Sequence, residues 1–459
     1  MVEDNITDKI KGGKAIGHGG FGCVFKPALK CENNKDDIKE KKKYVSKLML
    51  KKYAEEELTE IKTAKEFIKK ISNADKYFLI NDITTCKPDY LQRGDLLNYN
   101  KEFKNLIKKG FTTKNINSRL DELHQINIPY GGKSLEHYWK NLEEINMSFK
   151  EKNKGFIGTN TALLDLLKNG IKKLNEEGYY HQDLKSLNIL RGGKYLSDKV
   201  DVKLIDWGLS GKKLKTDIPY NAYDRPIQFN VPYANILFSS TNELLEYQKP
   251  LKATRTITDN FHRFNKVRNI AYSYYKNYIT EYSSGDISLL NELIQMVTQR
   301  RLLHKSRKIF DRNNIDLFIV NYLAIVLDKY TNSNGDFEMV RYYNEIFSKN
   351  VDIWGFICCY LRIIWSTKFD RTLIQKLTNI LFKYCLSLKY SVEIININDV
   401  IEDFKNINDV LEVETDKRKT RKHKKTRKHK KSRKHKISRK HKKSKRHKKS
   451  RKHKKSRRH

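Results

Sequence analysis

Three short stretches of the chain carry side chains whose types and spacing could do chemistry. Gly17-His18-Gly19-Gly20-Phe21-Gly22 has the spacing G-x-G-x-x-G, and Val24 follows two residues later. Apolar residues flank this cluster on both sides, so the pattern predicts a hairpin with a glycine tip rather than the strand-to-helix turn of a dinucleotide fold. Such a flap can close over phosphates with its backbone N–H groups. Residues 181–190 read HQDLKSLNIL and residues 202–209 read VKLIDWGL. They put Asp183, Lys185, Asn188 and Asp206 close together in sequence, and carboxylate and amide oxygens are hard ligands suited to Mg2+.

Taken in order, these stretches resemble the eukaryotic-type protein kinases, whose motifs are a glycine-rich loop, H-R-D-L-K-x-x-N and D-F-G. The resemblance implies an α+β, bilobal protein-kinase fold, with a small antiparallel β-sheet lobe containing one helix and a large helical lobe. It also implies roles. Asp183 would accept the proton of the attacking hydroxyl, and Lys185 would neutralise the transferred phosphoryl. Asn188 and Asp206 would ligate two Mg2+ ions, with Mn2+ as the alternative metal. ATP would lie under Ile16, Gly17, His18, Gly19, Gly20, Phe21, Gly22, Cys23 and Val24. Lys47 in YVSKLML stands where V-A-I-K is expected and would grip the nucleotide phosphates. Its partner should be a glutamate on the next helix, with Glu60 the natural alignment and Glu57, one turn earlier, the alternative. The segment QINIPYGGKSL resembles the inter-lobe hinge. Ile128 would gate the back pocket, and the backbones of Pro129 and Gly131 would hold the purine. Far downstream, NVDIWGFICCYL resembles the start of the large central helix, with Asp352 tying down the catalytic-loop backbone.

The elements that must position these groups follow from periodicity. Residues 14–30 and 44–50 alternate as strands. Residues 53–71 have apolar positions at Leu58, Ile61, Ala64, Phe67, Ile68 and Ile71, which predicts an amphipathic helix with acid in its first turn. Helices are also expected over SLEHYWKNLEEI and NTALLDLLKNGIKKLNEEG, the latter stopped by Gly178. Residues 207–255 read as loop, and helical spacing dominates from Thr256 to about Leu411. The expected organisation is an extension over 1–9, a small lobe over 10–130, and a large lobe over 131–411 with a helical insertion at about 235–350. A basic tail over 412–459 follows.

Charge is concentrated in that tail. The 459 residues carry 94 Lys and Arg against 54 Asp and Glu, a formal +40. Twenty-eight of those cations lie among the 43 residues from Lys417 to His459, which repeat R-K-H-K-K-S with histidine every sixth position. Like charges with nothing apolar to bury predict disorder. The tail is suited to nucleic acid or an acidic protein through sequence-independent, salt-sensitive contacts. No apolar run reaches the length of a membrane span and no signal segment is visible, so an intracellular, non-secreted protein without membrane insertion is expected. The six cysteines show no C-x-x-C pair or metal spacing and read as free thiols.

Three features depart from the family pattern. Gln182 stands where many kinases have an arginine that binds a phosphorylated activation segment, so activity is expected without that phosphorylation. Trp207 replaces phenylalanine. No A-P-E closes the activation segment, which instead continues as YDRPIQFNVPYANILFSS. That segment, the insertion and the basic repeats resemble the divergent kinases of giant DNA viruses such as mimiviruses. This implies residence in host cytoplasm or nucleus, or in the virion. Lys185 and Leu209 favour serine/threonine specificity by the same analogy. The alternative is a weak or inactive kinase-shaped scaffold that binds nucleic acid or acidic partners through the tail. A small-molecule phosphotransferase is the third reading.

Overall fold

The computed structural model describes residues 13–18, 22–32, 43–97, 99–197, 199–239, 243–281, 283–299 and 315–413. The chain divides into two units, 1–404 and 405–459. In the second, residues 405–413 are helical, so residues 412 and 413 belong to a helix rather than to the tail; the repeats over 417–459 lie outside the described residues. Among the described residues no helix is long and apolar enough to cross a membrane.

The first unit is mixed α+β. Five antiparallel strands, β1 (Lys14–His18), β2 (Gly22–Lys26), β3 (Tyr44–Leu50), β4 (Thr84–Cys86) and β5 (Leu123–Pro129), form one sheet in the order β1-β2-β3-β5-β4. β3 is central because both of its faces are buried. Leu48 packs with Phe25, Phe103, Leu106 and Phe111 on one side, while Met49 meets Ala54 and Ile126 on the other. Each such side chain contributes roughly 1.5–3 kcal/mol on burial. Gly22 sits where β2 crosses β3 closely: a Cβ there would lie 2.3 Å from the Leu48 carbonyl oxygen.

The Lys51–Ile68 helix covers one face of the sheet. It starts two residues earlier than the periodicity suggests, so its acids fall in the second turn. The small lobe was expected to contain one helix; instead Ala74–Tyr77, Tyr99–Glu102 and Lys104–Lys108 are helical as well. The last two bring Tyr99, Phe103 and Leu106 onto the second sheet face, with Tyr99 and Phe103 stacked at 4.1 Å. Mixed polar sequence hid these short turns. The cysteine reading is corrected too: Cys31 and Cys86 form a disulfide across 55 residues, with Cα atoms 5.7 Å apart. Residues 30–32 pair with 87–89 through backbone hydrogen bonds, which brings the two cysteines together. Sequence spacing carries no trace of that pairing.

Past β5 the chain is helical. Ser134 caps Leu135–Glu144, and a capping box of Ser148 and Glu151 starts Phe149–Asp165. The helix continues through a π segment, Leu166–Ile171, and ends at Gly178 with φ +76°, as its glycine predicts. Two small sheets follow: β6 (Lys133–Ser134) with β8 (Ile189–Arg191) and β9 (Val202–Leu204), and β7 (Tyr179–Tyr180) with β10 (Gly211–Lys212). The Ser348–Cys358 helix is buried at every residue but Lys349. Insertion helices Asn260–Glu281, Ile287–Gln299 and Ile315–Tyr330 fall where helical spacing predicts them. Glu243–Thr254, in the stretch read as loop, is helical, with Pro250 inside it. Tyr233 joins insertion to core, its ring edge-on to Phe318, Tyr322 and Trp354.

Candidate active site

The loop after β7 holds the predicted catalytic residues by its backbone. His181 and Gln182 donate their N–H groups to the two oxygens of Asp352, at 2.9 and 2.8 Å. Burial pushes the Asp352 carboxyl above its usual range, against His181 and those two amides. Gln182 adopts φ +60°, a conformation uncommon for a non-glycine residue. Asp352 thus anchors the turn as the resemblance implies.

Asp183 is buried, and its carboxylate is held from three sides. Oδ2 accepts from Lys185 Nζ at 2.7 Å and from Asn188 Nδ2 at 3.0 Å, and Oδ1 accepts from Asn230 Nδ2 at 2.9 Å. Three donors leave one direction of a rotatable group fixed, which is what a positioned general base needs. The β8–β9 hairpin then brings the second motif alongside. Ile205 N donates to the Asn188 carbonyl at 2.9 Å, so Asp206 follows directly beside Asn188. Asp206 has φ +69°, and its side chain is the more exposed of the two carboxylates. Trp207 packs inward among Phe78, Tyr179 and His181, with ring centroids 5.7, 6.4 and 5.1 Å away.

Lys47 reaches this group from β3, where it is paired with Val24 and Ile126. Its Nζ lies 2.5 Å from Glu57 Oε2 and 4.0 Å from Asp206 Oδ1. Burial acts to lower its pKa, but the Asp206 and Glu57 carboxylates outweigh it and hold the ammonium above the usual lysine range. Burial pulls Glu57 towards its neutral form; at 2.5 Å from an ammonium the ionised pair is the state the geometry supports.

The partner of Lys47 is therefore Glu57 and not Glu60. The reason is helical phase. Ala54, Glu57, Ile61, Ala64 and Ile68 form the buried stripe facing the sheet, whereas Glu60 is about 60° round the helix. Glu60 instead accepts from Asn221 Nδ2 at 2.9 Å, and burial pushes its carboxyl up to about 7.

The glycine-rich turn is only partly described. Gly19, Gly20 and Phe21 lie outside the described residues. Ile16 is exposed and Val24 half-buried, consistent with a roof over a ligand. Cys23 is not part of that roof: strand alternation turns its side chain into the core with Phe25 and Leu48. At the hinge, Ile128 lies half-buried against Met49 and Ile126, and Pro129 ends β5. Tyr130 N donates to the Lys43 carbonyl at 2.7 Å. Gly131 runs directly over Leu190, whose Cδ1 would lie 2.8 Å from an added Cβ.

Two residues that touch Asp183 or its loop were not foreseen, Arg225 and Asn230. Both lie in RPIQFN, a stretch whose sequence offers no helical or strand period. A cavity of about 410 Å3 opens beside Lys185, lined by Leu187, Phe229, Leu289, Leu361 and Trp365 and by the Glu136–Arg362 ion pair. It adjoins the loop that bears Lys185 and Ser186, and Lys47 does not line it.

Among the described residues no group of three or more His, Cys, Asp or Glu is placed to hold a metal. Asp206 and Asn188 provide two oxygen ligands, a set that fits Mg2+ shared with nucleotide phosphates rather than an ion caged by protein alone.

No family model matches the chain, and no curated protein matches it. The chain is similar to the crystal structure of a Plasmodium kinase domain, with 16% identity and a TM-score of 0.26 over 49% of this chain and 56% of that one. It thus spans about half the length of that structure.

Proposed function

We propose that the protein is an ATP- and Mg2+-dependent serine/threonine protein kinase. One observation carries the reading: two sets of charged groups, far apart in sequence, converge. Lys47, paired with Glu57, points at Asp206, and Asp183 is locked by Lys185 and Asn188 in the loop that adjoins Asp206. A dead scaffold has no use for so many partly buried charges.

In this reading Asp183 takes the hydroxyl proton through the carboxylate that Asn230 and Asn188 orient. Lys185, 2.7 Å from Asp183, neutralises charge on the transferred group. Lys47 holds the nucleotide phosphates, and Asp206 with Asn188 holds the metal. The Mg2+ supplies charge neutralisation for the phosphates when bound. The remaining task of the protein is positioning. The basic tail is read as an electrostatic anchor for nucleic acid or an acidic protein. Kinship with giant-virus kinases rests on RPIQFNVPY, the insertion and the repeats.

The test is γ-phosphate transfer from ATP with Mg2+ to a basic protein, to casein and to the chain itself. Wild type and a form truncated after Thr415 should transfer; Asp183→Asn and Lys47→Met should not. Equal transfer by Asp183→Asn and wild type would remove the reading. Loss of affinity for nucleic acid at about 100 mM salt on deleting 417–459 would support the anchor.

A further inference from the structure

Position 182 lacks an arginine, yet a guanidinium lies against the same loop. Arg225 is 5% exposed and donates from Nη1 to the Gln182 carbonyl at 2.9 Å. Its Nε and Nη2 both reach Gln228 Oε1, at 3.1 and 2.6 Å. Among the described residues no carboxylate forms an ion pair with it; instead Asp183 and Asp352 face it through space. Burial acts to lower the pKa of this guanidinium, and Asp183, Tyr343 and Asp352 act against it, so the cation is held beside the loop by charges and hydrogen bonds where solvent cannot reach.

The backbone bearing Arg225 is fixed from outside the loop. The Arg225 carbonyl accepts from Tyr278 OH at 2.6 Å and from Asn235 Nδ2 at 3.2 Å. The Ile227 carbonyl accepts from Asp286 N at 2.8 Å, Phe229 N donates to Asp286 Oδ2 at 3.1 Å, and the Phe229 carbonyl accepts from Trp354 Nε1 at 3.1 Å. Gly285, at φ +52°, permits this contact, because a Cβ there would lie 2.0 Å from the Ile227 carbonyl. Asn230 then closes on Asp183 itself. The segment 225–230 is a strut running from the insertion and the central helix to the catalytic loop. Gln182 has its own neighbours: Oε1 accepts from Tyr343 OH at 3.0 Å, and Gly211 packs against its Nε2. A phosphate arriving on residues 208–224 would meet a glutamine and an arginine that is already enclosed.

We propose that Arg225 is a positioning residue of the catalytic loop: it supplies from within the chain the positive charge missing at position 182. Asp183 is thereby set for transfer with residues 208–224 unmodified. The inference rests on the kinase reading above and names how that site is regulated.

The experiment uses the full chain treated with phosphatase, its phosphate-free state confirmed by intact mass. Wild type, Arg225→Met, Arg225→Lys and Gln228→Leu are compared for kcat, for KM of ATP and for hydrogen exchange at the backbone amides of residues 181–184. Unphosphorylated wild type should be active. Arg225→Met should lose about 100-fold in kcat with KM for ATP within about twofold, the size expected when a reacting group is misplaced by about 1 Å. Arg225→Lys should recover about tenfold of that loss, and exchange at 181–184 should rise in Arg225→Met and Gln228→Leu but not in Arg225→Lys. A folded Arg225→Met enzyme with wild-type kcat overturns the proposal. So does a dephosphorylated wild type that is inert until residues 208–224 are phosphorylated. If Arg225→Met does not fold, Gln228→Leu decides, because it frees the guanidinium without removing it: kcat should fall, and unchanged kcat overturns the assignment. If no form transfers phosphate, the kinase reading fails separately. Exchange at 181–184 then still shows whether Arg225 holds the loop.

Discussion

Removing the charge of Glu57 separates the two glutamates that the sequence alone leaves in competition. The Lys47–Glu57 pair is 2.5 Å long, and its side chains are 12% and 9% exposed. At an effective dielectric of about 20 the attraction is about 7 kcal/mol. Three effects reduce what Glu57→Gln costs. The glutamine keeps an acceptor for Lys47, it escapes the burial penalty of a carboxylate, and Asp206 remains 4.0 Å from the ammonium. Breaking a buried pair from one side typically costs 3–5 kcal/mol, so about 3 kcal/mol is expected here. Glu60→Gln keeps an oxygen that can accept from Asn221 Nδ2 and removes only the charge on it, about 1 kcal/mol or less. Urea unfolding at pH 7.5, followed by tryptophan fluorescence and circular dichroism, measures both. Nucleotide affinity by calorimetry gives a second readout, since Glu57→Gln should loosen Lys47 and weaken ATP binding about tenfold while Glu60→Gln leaves it unchanged. A Glu60→Gln cost equal to or larger than that of Glu57→Gln would refute the helical-phase argument.

Glu60 should give the molecule a pH dependence of opposite sense to that of an ion-paired acid. Its folded pKa, about 7, lies above its ordinary 4.5, so the folded state holds the proton more tightly. The stabilisation is complete below about pH 4.5 and is lost as pH rises through about 7; Glu60→Gln should flatten that slope, by about 1–2 kcal/mol after solvent screening of a half-exposed group. Denaturation midpoints measured between pH 5 and 8 check this, and identical slopes in the two proteins would contradict it. Asp352→Asn leaves one of the two loop amides facing an NH2 group, and should cost about 2–3 kcal/mol while lowering kcat more than KM. Denaturation and steady-state kinetics together separate those effects. Replacing Cys31 and Cys86 by serine, or reducing them, should lower stability by roughly 2–4 kcal/mol, since the bond closes a loop of 55 residues. A non-reducing peptide map that finds both thiols alkylated in native protein would show that the bond does not form.

Legibility in the sequence followed the range of the interactions involved. That Asp183, Lys185, Asn188 and Asp206 lie together could be read from two short motifs, because a short loop and one hairpin bring them side by side by local geometry. Lys47 could be placed beside them because YVSKLML reads as the strand after the glycine-rich turn. Choosing between Glu57 and Glu60 needs the phase of the helix relative to the sheet, which depends on where the helix starts. It starts at Lys51, two residues before the apolar period becomes visible. Arg225 and Asn230 were out of reach for a different reason. Their partners are backbone carbonyls and a carboxylate some 40 residues earlier, and a segment without regular structure leaves no period to read. The Cys31–Cys86 bond similarly depends on strand neighbours that the intervening residues conceal.

Trp207 bears on which ligands this cleft can accept. Its indole is enclosed by Phe78, Tyr179 and His181 and is 2% exposed. Taking an aromatic side chain of 150–250 Å2 out of such a site into water costs about 4–6 kcal/mol. A conformer with the ring swung into the cleft is therefore populated at roughly one part in 10³ to 10⁴. Any small molecule that binds only after this ring has left its socket is weakened by the same factor. Molecules that fit beneath the hinge with the indole in place carry no such penalty. If the cleft binds a nucleotide as proposed above, this joint would sort compounds according to the conformation they demand, by the bulk of one side chain.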